Sequence, residues 1–354
     1  MRAPSGSFQQ VTYSGLLALR HRRVHSLLRY SSSRARSSSP AATDCSSADS
    51  GQRKSALVTG ANTGIGFETA KALALKGYAT VLACRNLEKG RAARDQIKAS
   101  VPGAKVEAVF VDLADLSTIR TFANKALDGG APLDVLVNNA GVMACPELRT
   151  KDGFEMQLGT NHLGHFLLTT MLLPLLTDPS RPSRIVNVSS SAHSFGRMNF
   201  DDLQSRRSYQ PWIAYGQSKL ANILFTYELA RRLPLDANVT ANALHPGVVN
   251  TELQRFLLPD PIPWWQLPFL QAASVFLKSP EQGAQTSIYL ATSPEVEGTS
   301  SKYWSDCKPK TSSKASYDAG TARQLWEISQ ELTDAPPVTA MGISRAAEQP
   351  AQAV

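Results

Sequence analysis

Tyr215 and Lys219 stand four residues apart in the run AYGQSKLANILF, and Ser190 lies 25 residues upstream at the end of an apolar run. Helical residues i and i+4 share a face, so this phenol and ammonium are expected to project into one space. An isolated tyrosine, with a pKa of about 10, is a poor base at neutral pH. A neighbouring cation favours the phenolate and is expected to lower that value. Such a pair suits proton transfer to or from a carbonyl or alcohol oxygen. Tyr-x-x-x-Lys also occurs on ordinary amphipathic helices, so its meaning depends on the rest of the chain.

A second element is needed to bring a reactant to that pair. Ser55-Ala-Leu-Val-Thr59 reads as a short buried strand. The turn Gly60-Ala61-Asn62-Thr63-Gly64-Ile65-Gly66 comes next, and a helical pattern continues from Phe67 to about Lys76. Glycines between strand and helix allow a sharp turn and close approach of backbone to a ligand. The helix N-terminus then offers unpaired N–H groups and a positive dipole end to a pyrophosphate. This is a dinucleotide-binding context, although the spacing is Thr-Gly-x-x-x-Gly-x-Gly rather than G-x-G-x-x-G.

With that spacing the chain resembles the short-chain dehydrogenase/reductase family, and further stretches agree in the family's order over about residues 54–332. These are Asp112-Leu113 after KVEAVFV, Asn139-Ala140-Gly141 in DVLVNNAG, and Asn161 in LGTNHLGHF. Ser190 in RIVNVSS, Tyr215 with Lys219, and Pro246-Gly247 with Thr251 in HPGVVNT complete the set. Within the family the stretches LACRN, FEMQLGTNHLGHFLLT, HPGVV and SKYWSDCK look most like the retinol dehydrogenase branch. A plastid import-associated dehydrogenase and the protochlorophyllide reductases are neighbouring relatives. The latter carry a cysteine two residues beyond the active-site lysine, whereas Leu220-Ala221-Asn222 comes after Lys219 here.

The resemblance implies a nicotinamide cofactor held by Gly60, Asn62, Thr63, Gly64, Ile65, Gly66, Asp112, Leu113, Asn139, Ala140, Gly141, Pro246, Gly247 and Thr251. It implies that Asp112 accepts from the adenine amino group and that Asn139 and Gly141 line the nicotinamide side. Lys219 would hold the ribose hydroxyls, and Asn161 would support a water relay to Lys219. Tyr215 would give or take the proton, and Ser190 would hydrogen-bond the substrate oxygen. Strand alternation turns Ser189 and Ser191 to the other face, which singles out Ser190.

Arg85 lies just after the second strand, where the adenosine ribose of a dinucleotide should lie. An acid there would accept from the ribose 2′-OH and repel a 2′-phosphate, whereas arginine pairs with that phosphate. The expected cofactor is therefore NADP(H) rather than NAD(H).

The strand-like runs are 55–59, 79–84, 105–111, 134–138, 184–189 and 239–244, with a seventh candidate at 301–305. Helical patterns fill about 65–77, 87–99, 115–127, 153–176, 209–233, 280–291 and 321–332. This alternation predicts an α/β fold: a doubly wound, Rossmann-like parallel sheet with helices on both faces, in one domain over 53–333.

The net charge of +8 is uneven, because residues 1–50 carry seven arginines and two aspartates. That segment also holds 13 serines and a short basic amphipathic stretch, LLALRHRRVHSLLRY. Residues 1–52 therefore read as an organellar transit peptide, for a chloroplast or a mitochondrion. No aromatic-interleaved basic strip points to nucleic acid. Cys45, Cys84, Cys145 and Cys307 are widely spaced free thiols on this reading. His162 and His165 lack a completing carboxylate or cysteine, so packing rather than a metal is expected of them. No apolar stretch of about 20 residues suggests a spanning helix. Residues 334–354, with APP and EQP, read as a disordered tail.

Residues 252–277 hold two tryptophans and prolines at 259, 261, 263 and 268, which forbid a regular helix through the centre. This apolar segment is expected to cover a hydrophobic small-molecule substrate, to make peripheral membrane contact, or to pack on the core or on a second copy in a homodimer. Two functional classes remain. One is an NADP(H)-dependent oxidoreductase for a hydrophobic alcohol or carbonyl compound, retinoid-like, isoprenoid or lipid, with a protochlorophyllide-type reductase as a variant. The other is an organelle-associated redox sensor or interaction protein that binds NADP(H). Cofactor binding alone does not require Ser190, which favours the enzyme.

Overall fold

The computed structural model describes residues 53–234, 237–249 and 277–338. Thr251 and nearly all of the 252–277 segment lie outside the described residues, as does the serine-rich leader.

Apolar strand residues alternate between two cores, and this alternation explains the layering. From β1 (Ser55–Thr59), Leu57 joins one core while Ala56 and Val58 join the other. β4 (Val135–Asn138) and β5 (Ser183–Val188) divide likewise, with Leu136 and Ile185 facing away from Val135, Val137 and Val186. A strand buried on both faces must be apolar at successive positions, which is why these runs are nearly continuous. β2 (Ala79–Cys84), β3 (Val106–Phe110), β6 (Val239–Leu244), β7 (Tyr303–Ser305) and β8 (Lys308–Lys310) complete one sheet in the order β3-β2-β1-β4-β5-β6-β7-β8. All pairs are parallel except β7 with β8.

α1 (Gly64–Leu75), α2 (Leu87–Ser100) and α6 (Pro280–Thr292) cover one face through Leu73, Ile97 and Leu290. α3 (Leu116–Gly129), α4 (Gly164–Leu176) and α5 (Pro211–Arg232) cover the other through Ile119, Leu172 and Phe225. α7 (Ala319–Thr333) packs outside α5, where Trp326 meets the Phe166 and Phe225 rings. Strand order reverses between β1 and β4, and the crevice beyond the carboxyl ends of such strands is where a doubly wound sheet binds its ligand.

Three features depart from the sequence expectation. The pattern over 153–176 is not one regular helix: a π-helical turn, Gly159–Leu163, precedes α4. Strand β8 is a three-residue exposed edge containing Pro309, so it carries neither an apolar signal nor a regular propensity. The chain after residue 333 is not tail at once, because Ala335 and Val338 are buried against the α3–α4 core and Arg120 Nη2 donates to the Asp334 carbonyl.

Candidate functional site

Along the carboxyl ends of β1, β2, β4, β5 and β6 lies a cavity of about 850 Å³. Gly60 and Gly64 hold φ of +64° and +59°, a region side chains rarely adopt. A Cβ at Gly66 would come within 2.5 Å of both Asn139 Nδ2 and the Gly60 carbonyl, so the turn is pressed onto the end of β4. Asn139 binds that turn with its own amide, Nδ2 donating to the Thr59 carbonyl at 2.8 Å. The Asn139 and Ala140 N–H groups both donate to Thr59 Oγ1. Thr59 Oγ1 in turn lies 2.8 Å from His165 Nε2, and His165 Nδ1 lies 3.0 Å from the Asn161 carbonyl. A carbonyl only accepts, so Nδ1 carries the proton and Thr59 donates to Nε2. Burial pushes His165 down to about 4, keeping it neutral.

The start of α1 supplies the anion-binding feature. Thr63 at its N-cap makes no side-chain capping bond, and no acid occupies the first turn. Gly64, Ile65 and Gly66 line the cavity, so their N–H groups fit a pyrophosphate. Gly60, Asn62, Thr63, Arg85, Asp112, Leu113, Asn139, Ala140, Gly141, Pro246 and Gly247 also line it. One carboxylate oxygen of Asp112 accepts from the Ala114 N–H at 2.9 Å. Lys89 was not visible as a site residue in the sequence, yet it joins exposed Arg85 in the same wall. Its position one turn into α2, on the helix that Asn86 caps, is the signal that could have found it.

Tyr215 and Lys219 share a face of α5, each 3% exposed, with Lys219 Nζ 5.8 Å from the phenol ring centroid. Lys219 Nζ donates to the Val188 carbonyl at 3.1 Å. The Ser190 side chain hydrogen-bonds Tyr215, and Ser190 Oγ also accepts from the Ala192 N–H at 3.2 Å. Ser189 is turned away and donates to the Lys219 carbonyl at 2.7 Å, which clamps α5 to the strand end.

The electrostatics correct the expectation that Lys219 depresses the phenol. Burial pushes Tyr215 up to about 12, opposed by the Ser190 hydrogen bond, and pushes Lys219 down to about 8. The ammonium stands over the ring, and removing both groups from water outweighs their attraction.

Asn161 is fully buried in the π-helical turn. Its Oδ1 accepts from the Val142 N–H at 2.8 Å, and its Nδ2 donates to the Val142 carbonyl and to Ser218 Oγ, both at 2.9 Å. The amide therefore brackets the loop after β4 and is not part of the cavity wall. Gly141 lets it approach Lys219: a Cβ there would meet Asn161 Oδ1 at 3.0 Å and Lys219 Nζ at 3.5 Å.

The sequence reading did not single out the apolar end of the cavity. Met143, Phe195, Trp212 and Val248 line it, and Phe195, Trp212 and Val248 are 55%, 41% and 61% exposed. The Trp212 ring stands edge-on to Tyr215, with centroids 6.0 Å apart. These residues come from three separate loops and a helix start, so no periodicity connects them.

Comparison with known proteins places this geometry among relatives. The family described as short chain dehydrogenase matches residues 54–261. Human retinol dehydrogenase 14 is 47% identical over 293 residues, covering 79% of this chain and 86% of that protein. Mouse retinol dehydrogenase 11 is 48% identical over 284 residues, covering 80% and 87%. Among solved structures, an uncharacterized protein from Mycobacterium Paratuberculosis superposes with a TM-score of 0.64 at 39% identity, covering 80% of this chain and 94% of its own. A structure described as an NAD(P) dependent gluconate 5-dehydrogenase from Beutenbergia cavernae, with NADP bound at low occupancy, gives a TM-score of 0.55 at 25% identity, covering 71% and 93%.

Proposed function

This chain belongs to the short-chain dehydrogenase family of nicotinamide-dependent oxidoreductases, and from that premise we propose that it is an NADP(H)-dependent reductase of hydrophobic carbonyl compounds, retinoid-like, isoprenoid or lipid. The observation that carries the reading is Tyr215, buried and hydrogen-bonded to Ser190 at the apolar end of a cavity whose other end holds Arg85 and Lys89.

The cofactor supplies a hydride at its nicotinamide ring when bound. The open N–H groups at the start of α1 take the pyrophosphate, and Arg85 with Lys89 take a 2′-phosphate. Ser190 hydrogen-bonds the substrate oxygen and orients the carbonyl. Tyr215 gives its proton to the oxygen as negative charge develops there. A phenol pushed up to about 12 is protonated at neutral pH, which suits it to donate in the direction of reduction. Lys219, held by the Val188 carbonyl, positions the ribose hydroxyls. Asn161 acts by holding Val142 and the loop that carries Met143, and any relay through it passes beside Lys219. Met143, Phe195, Trp212 and Val248 supply an apolar surface for the substrate, as the names of the retinol dehydrogenase relatives also favour.

A turnover screen of hydrophobic aldehydes and ketones with NADPH, all-trans-retinaldehyde included, tests the reading. NADPH consumption with at least one of them is expected, and failure across the panel overturns it. The basic, serine-rich residues 1–50 are proposed to be an organellar address. Import of a fusion carrying them into isolated mitochondria or plastids is the expected result, and cytosolic retention in cells rejects it.

A further inference from the structure

His193 makes no contact that the proposed reaction uses, yet its ring is bonded at both nitrogens. Its Nδ1 lies 2.6 Å from the Ser190 carbonyl oxygen, and the Ser313 N–H donates to Nε2 at 3.0 Å. These two bonds set the tautomer. Nε2 accepts, so Nδ1 carries the proton and donates to Ser190. The His193 backbone N–H donates to the same carbonyl at 3.1 Å, so one residue supplies both hydrogen bonds to that oxygen. Burial holds the imidazole below its ordinary range and keeps it neutral. The ring also packs 4.9 Å, centroid to centroid, from Tyr303 of β7.

We infer that His193 is a positioning residue for Ser190, locking the 190–191 peptide and thereby aiming the Ser190 hydroxyl at Tyr215 and the substrate oxygen. Ser190 caps the short 3-10 turn Ser191–Ser194, with its Oγ held by the Ala192 N–H. Rotation of the 190–191 peptide would carry that N–H and the hydroxyl with it. His193 resists the rotation from outside the turn, because its far nitrogen is anchored on the segment between β8 and α7. That segment is itself tied to α5, since Ser312 Oγ bonds both Tyr227 Oη and Ser316 Oγ. The helix carrying Tyr215 and the turn carrying Ser190 are thus referenced to one another through the C-terminal part of the chain.

This role rests on the proposed reductase activity, and the test separates the two. An asparagine amide places its nitrogen where Nδ1 stands, whereas a glutamine amide reaches the place of Nε2. His193→Asn is expected to keep the bond to Ser190 and retain kcat within about threefold, and His193→Gln to lose roughly tenfold or more, with all-trans-retinaldehyde and NADPH as reactants. NADPH affinity is expected to be unchanged in both, and their melting temperatures to match each other. Equal loss in the two variants, or no loss in either, overturns the positioning role. A wild-type protein inactive across the whole carbonyl panel overturns the reductase reading and this role with it. The tautomer is read without turnover, by nitrogen-15 NMR of histidine-labelled protein, and a proton found on Nε2 of His193 refutes the geometry directly.

Discussion

At Tyr215 two effects compete, and their balance decides the direction of the proposed chemistry. The cation four residues away favours the phenolate, but burial of both groups favours the neutral phenol and wins. Tyr215→Phe removes the transferable proton and preserves the ring packed against Trp212. Steady-state kinetics should show a loss of kcat of about two orders of magnitude or more, with NADPH affinity nearly unchanged. Near wild-type turnover would remove Tyr215 from the mechanism. Arg85 has a separate test. A charge-assisted hydrogen bond contributes roughly 1.5–3 kcal/mol, so Arg85→Ala should weaken NADPH binding about ten- to hundredfold and spare NADH. Lys89→Ala should shift the preference in the same sense. Titration of both cofactors against each variant decides this, and equal weakening of NADH and NADPH would make Arg85 structural.

At the scale of elements, the catalytic groups meet because a turn and a helix approach without side chains between them. A Cβ on Gly196 would overlap the Gly216 carbonyl, and a Cβ on Gly216 would lie 2.7 Å from the Phe195 ring. The turn after β5 therefore sits directly on α5 one residue from Tyr215. In Gly196→Ala the clash is with backbone, which cannot rotate aside. Chemical denaturation should show a loss of about 1–3 kcal/mol from overpacking, and kcat should fall while cofactor affinity holds. An unchanged denaturation midpoint with full activity would show that the contact yields. Asn161 illustrates the same scale: its amide holds the loop after β4 through both backbone groups of Val142, so the π-helical turn and the cavity wall move as one piece.

Across the whole molecule, buried histidines couple folding to pH. His162 donates to or accepts from Ser329 of α7 and lies against Phe166 and Phe225, and burial pushes it down to about 3. His165 is pushed down to about 4. Both folded values lie below 6.5, the ordinary value, so the unfolded chain binds more protons as pH falls. The stability contribution is fully present above 6.5 and is lost progressively as pH drops towards those folded values. Each histidine adds a slope of about 1.4 kcal/mol per pH unit in that window. Glu155, raised by burial, opposes this near its own titration. Urea unfolding between about pH 6.5 and about 5 should show the slope, and His162→Gln should reduce it by about one proton. A flat profile would mean that neither ring is neutral and buried in the folded protein.

The sequence by itself determined those features that neighbours along the chain dictate. Alternating strand and helix patterns placed six parallel strands and the helices between them within a few residues. The Gly60–Gly66 turn was legible because only a few residue types tolerate left-handed backbone between a strand and a helix, and the Tyr215–Lys219 face because helical periodicity is local. Tertiary structure decided the features that depend on partners distant in sequence. The direction of the Tyr215 shift needed its burial, and the bracketing role of Asn161 needed Val142 and Ser218 beside it. The apolar wall was assembled from loops after β4, β5 and β6 and the start of α5, and Lys89 was brought to Arg85 by the cap on α2. Edge strand β8 formed only because the β7 backbone offered it hydrogen bonds, and Ala335 and Val338 were ordered by a core that the residues around them do not announce. Burial and long-range hydrogen bonds belong to pairs of residues that the fold brings together, and no local pattern encodes them.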